Sequence, residues 1–227
     1  MSITLARITV SAYRVPIASP VATSFGVMHN RPAVFVRLED SDGAFGFGEI
    51  FANWPAAGAE HRARLLVEDM ADLLLGQSFD SAGDLFTQLT EKTHIRALQC
   101  GEWGPFRQVI AGVDTAMTDL EARRAGLSVA RFLNPEAATG VPCYASGIAI
   151  AQAARLIPES RAAGFSAFKV KVGFETDRDV SLLQTAFEQL ADGETLCADA
   201  NQAWDLRAAQ GFLDRTSGLP LGWLGEP

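Results

Sequence analysis

Apolar residues in the first half of this chain change rhythm once, from alternation to helical spacing. Residues 3–17 place Ile3, Leu5, Ile8, Val10 and Tyr13 at apolar positions, which predicts a strand ended by Pro16. A loop over residues 18–31 follows, and residues 34–38 and 45–50 predict two further strands turned by Asp42-Gly43, a strong hairpin signal. Gly46 and Gly48 belong to that twisted hairpin and not to a phosphate loop, because no helix follows at the required spacing. Beyond Trp54-Pro55 the spacing becomes three and four. Leu65, Leu66, Met70 and Leu73 mark a helix over residues 60–75, and a second is expected over 81–91. A third covers 106–124, with Ile110, Val113, Met117 and Leu120 on one stripe and Gly126 as its stop. Antiparallel strands followed by helices make an α+β unit.

The second half alternates strand and helix. Residues 128–140 form a linker broken by Pro135 and Gly140. Strands are then predicted at 141–147, 167–172, 195–199 and 221–224. The intervening helices run to Ala163 with a kink or restart at Pro158, from a capping box at Thr176 and Asp179, and over residues 207–213. Such alternation implies parallel strands joined by crossover helices.

Three polar residues close these strands where apolar ones are expected. Lys171, Asp199 and Glu226 lie 28 and 27 residues apart, about one strand-helix repeat each. In barrels of this construction chemistry collects at the carboxyl ends of the strands. Alternation puts Lys169 and Lys171 on one face of residues 167–172, and Phe168, Val170 and Val172 on the other. Two readings are open for the lysines. They face water on an edge strand, or they enter a barrel interior, where desolvation and mutual repulsion let one act as a base. Asp199 and Asn201 are turn or capping residues in one reading. In the other, Asp199 is an oxygen ligand for a hard cation such as magnesium, and Asp205 caps the next helix.

The runs Lys169-Val170-Lys171, residues 199–204 (DANQAW) and residues 223–227 (WLGEP) resemble the enolase superfamily, in its mandelate racemase and muconate lactonizing branch. Ala111-Gly112-Val113-Asp114 and Asp119-Leu120 match the helix that leads into the barrel in that family. The resemblance implies an α+β capping domain over residues 1–127, then an α/β barrel of the TIM-like (β/α)7β type, of which residues 128–227 supply about the first four strands. It implies Lys171 as the catalytic base, Lys169 as its electrostatic assistant and Asp199 as a Mg²⁺ ligand. The usual second ligand stands two residues before the proline, which is Gly225 here, so Glu226 is the candidate in its place. Phe25, Trp54 and Asn201 are the implied substrate contacts, the first two on capping-domain loops. The implied reaction is Mg²⁺-dependent removal of the proton α to a carboxylate, giving racemisation, epimerisation or cycloisomerisation. Sugar-acid dehydration and a non-catalytic homologue are the alternatives. A third metal ligand and the groups facing the opposite side of the substrate are expected on later strands.

Composition narrows the classes. With 48% apolar residues the chain can bury a core, and a net charge of −8 argues against a nucleic-acid partner. No apolar run approaches the roughly 18–20 residues of a membrane span, so a cytoplasmic protein is the expectation, homo-oligomeric by family habit. Cys100, Cys143 and Cys197 fit neither a disulfide framework nor a zinc site and read as reduced thiols. His29, His61 and His94 are assigned no catalytic role.

Overall fold

The computed structural model describes residues 2–23 and 26–227. The chain divides into two units, Met1–Ala18 with Asn30–Thr139 and Ser19–His29 with Gly140–Pro227.

The N-terminal unit sets helices on one face of an antiparallel sheet. Its strands are β1 (Ile3–Thr23), β2 (Gly26–Asp40), β3 (Phe45–Ile50) and the short β4 (Ser78–Phe79), in the order β3-β2-β1-β4. The expected stop at Pro16 is replaced by strand, as is the expected loop at residues 18–23 and 26–31. Both Pro16 and Pro20 lie inside β1, which runs through them to Thr23. The hairpin of β2 and β3 is as predicted, with Val34 opposite Ile50 and Glu39 opposite Phe45. Its turn is closed by the buried Asp40 carboxylate, which accepts from the Asp42 and Ala44 N–H groups at 2.9 Å each and pairs with Arg124 at 2.7 Å.

The helices are α1 (Gly58–Arg64), α2 (Ala82–Cys100), α3 (Trp103–Arg124) and α4 (Val129–Leu133). The helix expected over 60–75 changes character after Arg64, into a π turn at Leu65–Met70 and a 3₁₀ turn at Ala71–Leu73. The wider π spacing brings Leu65 and Met70, five apart, into the core together. α2 runs nine residues past the expected end at 91 because its buried stripe of Leu85, Leu89, Thr93 and Ala97 continues to the left-handed Gly101. α4 is a short helix inside the expected linker, capped by Ser128.

The glycines of β3 have a reason that the hairpin alone does not supply. A Cβ on Gly46 would stand 2.2 Å from Ala116 O of α3, one on Gly48 would stand 2.1 Å from Gly112 O, and one on Gly112 would stand 2.4 Å from Ile50 Cγ1. Strand and helix backbones are in direct contact, and only glycine permits it.

The C-terminal unit is a parallel sheet of β5 (Ala145–Ala149), β6 (Ala167–Lys171), β7 (Thr195–Asp199) and β8 (Leu224–Gly225), in that order. The connections are a 3₁₀ turn at Ile150–Gln152 with α5 (Ala153–Ala162), then α6 (Thr176–Glu188) and α7 (Leu206–Thr216). Pro158 sits inside α5 without dividing it, so the expected restart is absent there. β8 is only two residues long and begins three residues later than predicted. Phe168, Val170, Leu196 and Ala198 face a core closed by Ile157, Leu183 and Phe212. Arg161, at the end of α5, forks onto Glu194 just before β7, with N···O distances of 2.6 and 2.7 Å.

Gly48→Ala is expected to destabilise the protein by about 2 kcal/mol or more, since overpacking against backbone has no rotamer to relieve it. Gly140→Ala, where a Cβ meets nothing within 4 Å, should change little. Urea denaturation of both variants checks the pair. A second expectation concerns acid. The Arg161 fork holds the Glu194 carboxyl down at about 2, against burial and with help from the Ala191 N–H. An unfolded glutamate titrates near 4.3, so this contribution is complete above about pH 4.3 and is lost as pH falls toward 2. Glu194→Gln should flatten that limb of the stability-versus-pH curve.

Candidate active site at the strand ends of the C-terminal unit

The sheet order removes the edge-strand reading of the lysines. β6 lies between β5 and β7 and is not an edge. In β6 burial alternates, with Phe168 and Val170 fully buried and the lysines half-buried. Parallel register sets Lys169 beside Cys197 and Lys171 beside Asp199, so the faces match and all four side chains lie on one side of the sheet.

Asp199 is the centre of this face. Its residue is only 4% exposed. Lys171 Nζ donates to Asp199 Oδ2 at 2.7 Å, and Lys169 Nζ donates to the same oxygen at 3.0 Å. The other oxygen, Oδ1, accepts the Asn201 N–H at 2.9 Å. Burial pushes this carboxyl up, but the bonds from Lys171, Lys169 and the Asn201 amide together outweigh it and leave it below the ordinary carboxylate range. The lysine side chains retain 16% and 22% exposure, so both ammonium groups remain within reach of a small molecule. Beneath them, Lys169 Nζ stands 5.6 Å from the centre of the Tyr144 ring, which packs edge-on against Trp223.

Backbone geometry at the ends of β7 and β8 is unusual. Asn201, Gln202 and Glu226 have φ of 49°, 60° and 45°, the left-handed region that non-glycine residues seldom occupy. The two turns are laced together: Ala200 N–H donates to Gly225 O at 3.0 Å, and Gln202 N–H to Glu226 O at 2.8 Å. Asn201 Nδ2 donates to Glu226 Oε2 at 3.3 Å. Gly225 is level with Asp199 in the register, and a Cβ placed on it would meet Trp223 Cζ3 at 3.0 Å. Asp205 caps α7 through the Ala208 N–H, as the sequence suggested.

Asp199 and Glu226 offer only oxygen donors. Magnesium keeps several waters and is commonly held by one or two carboxylates, so the donor chemistry of this pair fits that ion. Among the described residues no cluster of three or more histidine, cysteine or acidic side chains is close enough to hold a metal. Of the implied substrate contacts, Asn201 lies at this site, Trp54 belongs to the N-terminal unit, and Phe25 is outside the described residues. His61 pairs with Glu102 at 3.0 Å and His94 packs on Trp103, both within the N-terminal unit.

One organising residue was misread in the sequence. Asp179 does not close a capping box with Thr176, which is the first residue inside α6. Its buried carboxylate, through Oδ2, accepts from the N–H groups of Gly173, Phe174 and Glu175 at 2.8, 3.0 and 3.4 Å. It thereby holds the turn that follows Lys171. That turn lies against the next one: a Cβ on Gly173, at φ 92°, would meet Ala203 Cβ at 2.8 Å and Ala200 O at 2.9 Å. An acidic residue in the first turn of a helix, just after a glycine turn, was the available signal.

A sequence model described as the mandelate racemase/muconate lactonizing enzyme N-terminal domain matches residues 5–134, and one described as the enolase C-terminal domain-like family matches residues 150–227. The chain belongs to the mandelate racemase/muconate lactonizing enzyme family. The fold is accordingly that of an N-terminal capping domain followed by part of a barrel-type C-terminal domain. The 3,6-anhydro-alpha-L-galactonate cycloisomerase of Streptomyces coelicolor is 29% identical over 97% of this chain and 61% of its own length. A solved mandelate racemase/muconate lactonizing enzyme from Bordetella bronchiseptica is 42% identical, with a TM-score of 0.89 over 100% of this chain and 59% of its own. A racemase from Streptomyces coelicolor, solved with bound magnesium, is 27% identical with a TM-score of 0.82, over 98% of this chain and 62% of its own. Other curated relatives are cycloisomerases, an epimerase, a racemase and a dehydratase. The chain spans about 60% of the length of these three relatives. Among the described residues no helix is long and apolar enough to cross a membrane.

Asp179→Ala strands three N–H groups in a buried turn and is expected to cost about 2–4 kcal/mol. Asp179→Asn, which keeps one acceptor oxygen, should cost less. Chemical denaturation orders the two variants, and equal losses would mean that the carboxylate does not hold the turn.

Proposed function

We propose that this protein takes part in magnesium-dependent removal of the proton α to a substrate carboxylate, leading to racemisation, epimerisation or cycloisomerisation. The observation that carries the reading is the convergence of Lys169 and Lys171 on one buried carboxylate oxygen at the ends of adjacent parallel strands. Family membership supports it, and so does the magnesium in the related racemase. On this reading residues 1–127 are the capping domain, and residues 128–227 are the first strands of a (β/α)7β barrel.

Lys171 is the base. It stands nearer the strand end than Lys169, it is the more exposed of the two, and its amine takes the α-proton once free of Asp199. Lys169, on the same face and bonded to the same carboxylate oxygen, is its electrostatic assistant. Asp199 and Glu226 would hold Mg²⁺, whose chemistry when bound is to neutralise the charge that develops on the substrate carboxylate as the proton leaves. Asp199 also fixes both lysines before substrate arrives.

Dehydration of a sugar acid is the second reading, favoured by 29% identity to the L-talarate/galactarate dehydratase of Salmonella typhimurium. It begins with the same proton removal and ends with loss of a β-hydroxyl.

The test is incorporation of deuterium at the α-carbon in D₂O with Mg²⁺, followed by NMR across a panel of α-hydroxy acids, N-acyl amino acids, dipeptides and sugar acids. Exchange should depend on Mg²⁺ and fall by at least about 10²-fold in Lys171→Ala. A 2-keto acid product would select dehydration. No exchange with any acid, together with no Mg²⁺-induced rise in Tm, would leave the non-catalytic reading standing.

A further inference from the structure

We propose that Asn201 is a positioning residue that holds Asp199 and Glu226 together as one pair of oxygen donors. The inference rests on the reading that those two carboxylates hold the cation, and it assigns Asn201 a different task from substrate contact.

Asn201 is the one residue that hydrogen-bonds to both carboxylates by the bonds described above. Its main-chain N–H donates to Asp199 Oδ1 and its side-chain amide donates to Glu226 Oε2. The two bonds leave from opposite ends of one residue, so the separation of the carboxylates is set by the conformation of Asn201.

Sheet register explains why a brace is needed. Gly225, not Glu226, is level with Asp199, and one residue further along a strand the side chain points to the opposite face. Glu226 escapes that rule by its φ of 45°, which breaks the alternation at the strand end. A left-handed backbone is disfavoured at a glutamate and persists only where its surroundings fix it. The surroundings here are Gln202 N–H on Glu226 O and the Asn201 amide on Glu226 Oε2, both from a turn that is itself left-handed. Asparagine is among the few side chains that enter that region readily, so one residue type satisfies both the turn and the brace.

The brace predicts non-additive losses of metal affinity. Mn²⁺ is titrated into the wild-type protein and its variants, with free Mn²⁺ read by electron paramagnetic resonance and no substrate present. Asn201→Gly keeps the left-handed turn and removes only the amide. It should weaken Mn²⁺ binding by about tenfold, as loss of a group orienting a ligand does. Glu226→Gln should weaken it at least as much, and the double variant should be no worse than Glu226→Gln alone. Wild-type affinity in Asn201→Gly, or fully additive losses in the double variant, would overturn the positioning role while leaving Glu226 as a ligand. Wild-type affinity in Glu226→Gln, or no Mn²⁺ binding by the wild-type protein, would overturn the ligand reading itself and the brace with it.

Discussion

Parallel register between β6 and β7 is the constraint on which the C-terminal unit depends, because it brings two ammonium groups and one carboxylate to the same point of a buried sheet face. Removing charges from water is costly, and only close, well-oriented partners offset the loss. Asp199 Oδ2 receives both lysines and Oδ1 a main-chain amide, so the carboxylate has its charge and lone pairs answered. A slip of one residue in β6 would turn the lysines to the face of Leu196 and Ala198 and leave Phe168 and Val170 on the polar face. The arrangement is therefore fixed by its own alternatives. It also leaves the lysines held but not sealed, which is the condition a base needs.

Around that register, each turn at the carboxyl end of a strand is held by a device of its own. Asp179 gathers three N–H groups of the turn after β6, the Asn201 amide closes the turn after β7, and Glu226 follows β8 in the left-handed region. At the opposite end of β7, Arg161 and Glu194 fix the approach. The N-terminal unit solves a separate problem by other means. There the close contact of β3 with α3 is made by Gly46, Gly48 and Gly112, and the Asp119 carboxylate of α3 accepts the Phe47 N–H of β3 at 2.8 Å.

The sequence was most legible where local pattern and tertiary environment agree. Alternation along residues 167–172 assigned the lysines to one face, and β7 was bounded correctly because its apolar run ends at a carboxylate that the sheet needs there. It was least legible where distant partners decide. Pro16 is a stop signal in isolation, but β1 continues through it to Thr23. The spacing of Leu65, Leu66, Met70 and Leu73 reads as α-helix, while burial is met by a π turn. Asp179 has the position of a capping-box partner, yet it bonds three residues that precede the helix instead of answering Thr176. Nor does composition explain why Gly46 and Gly48 are glycine, since the atoms that exclude a Cβ lie about 65–70 residues away in α3.

Gly225 and Glu226 illustrate how little sequence distance means at a strand end. Within a regular strand, moving a carboxylate by one residue would take it to the far side of the sheet and out of the site. Glu226 follows the last residue of β8, where no ladder enforces alternation, and with its φ of 45° its side chain meets Asn201 in the turn after β7. The same region carries Trp223, whose ring lies where a side chain on Gly225 would begin and packs on the Tyr144 that backs Lys169. Glycine at 225 and glutamate at 226 are thus parts of one local solution. The aromatic ring takes the space beside the register position, and the carboxylate is supplied from the next residue, where the backbone is free to turn.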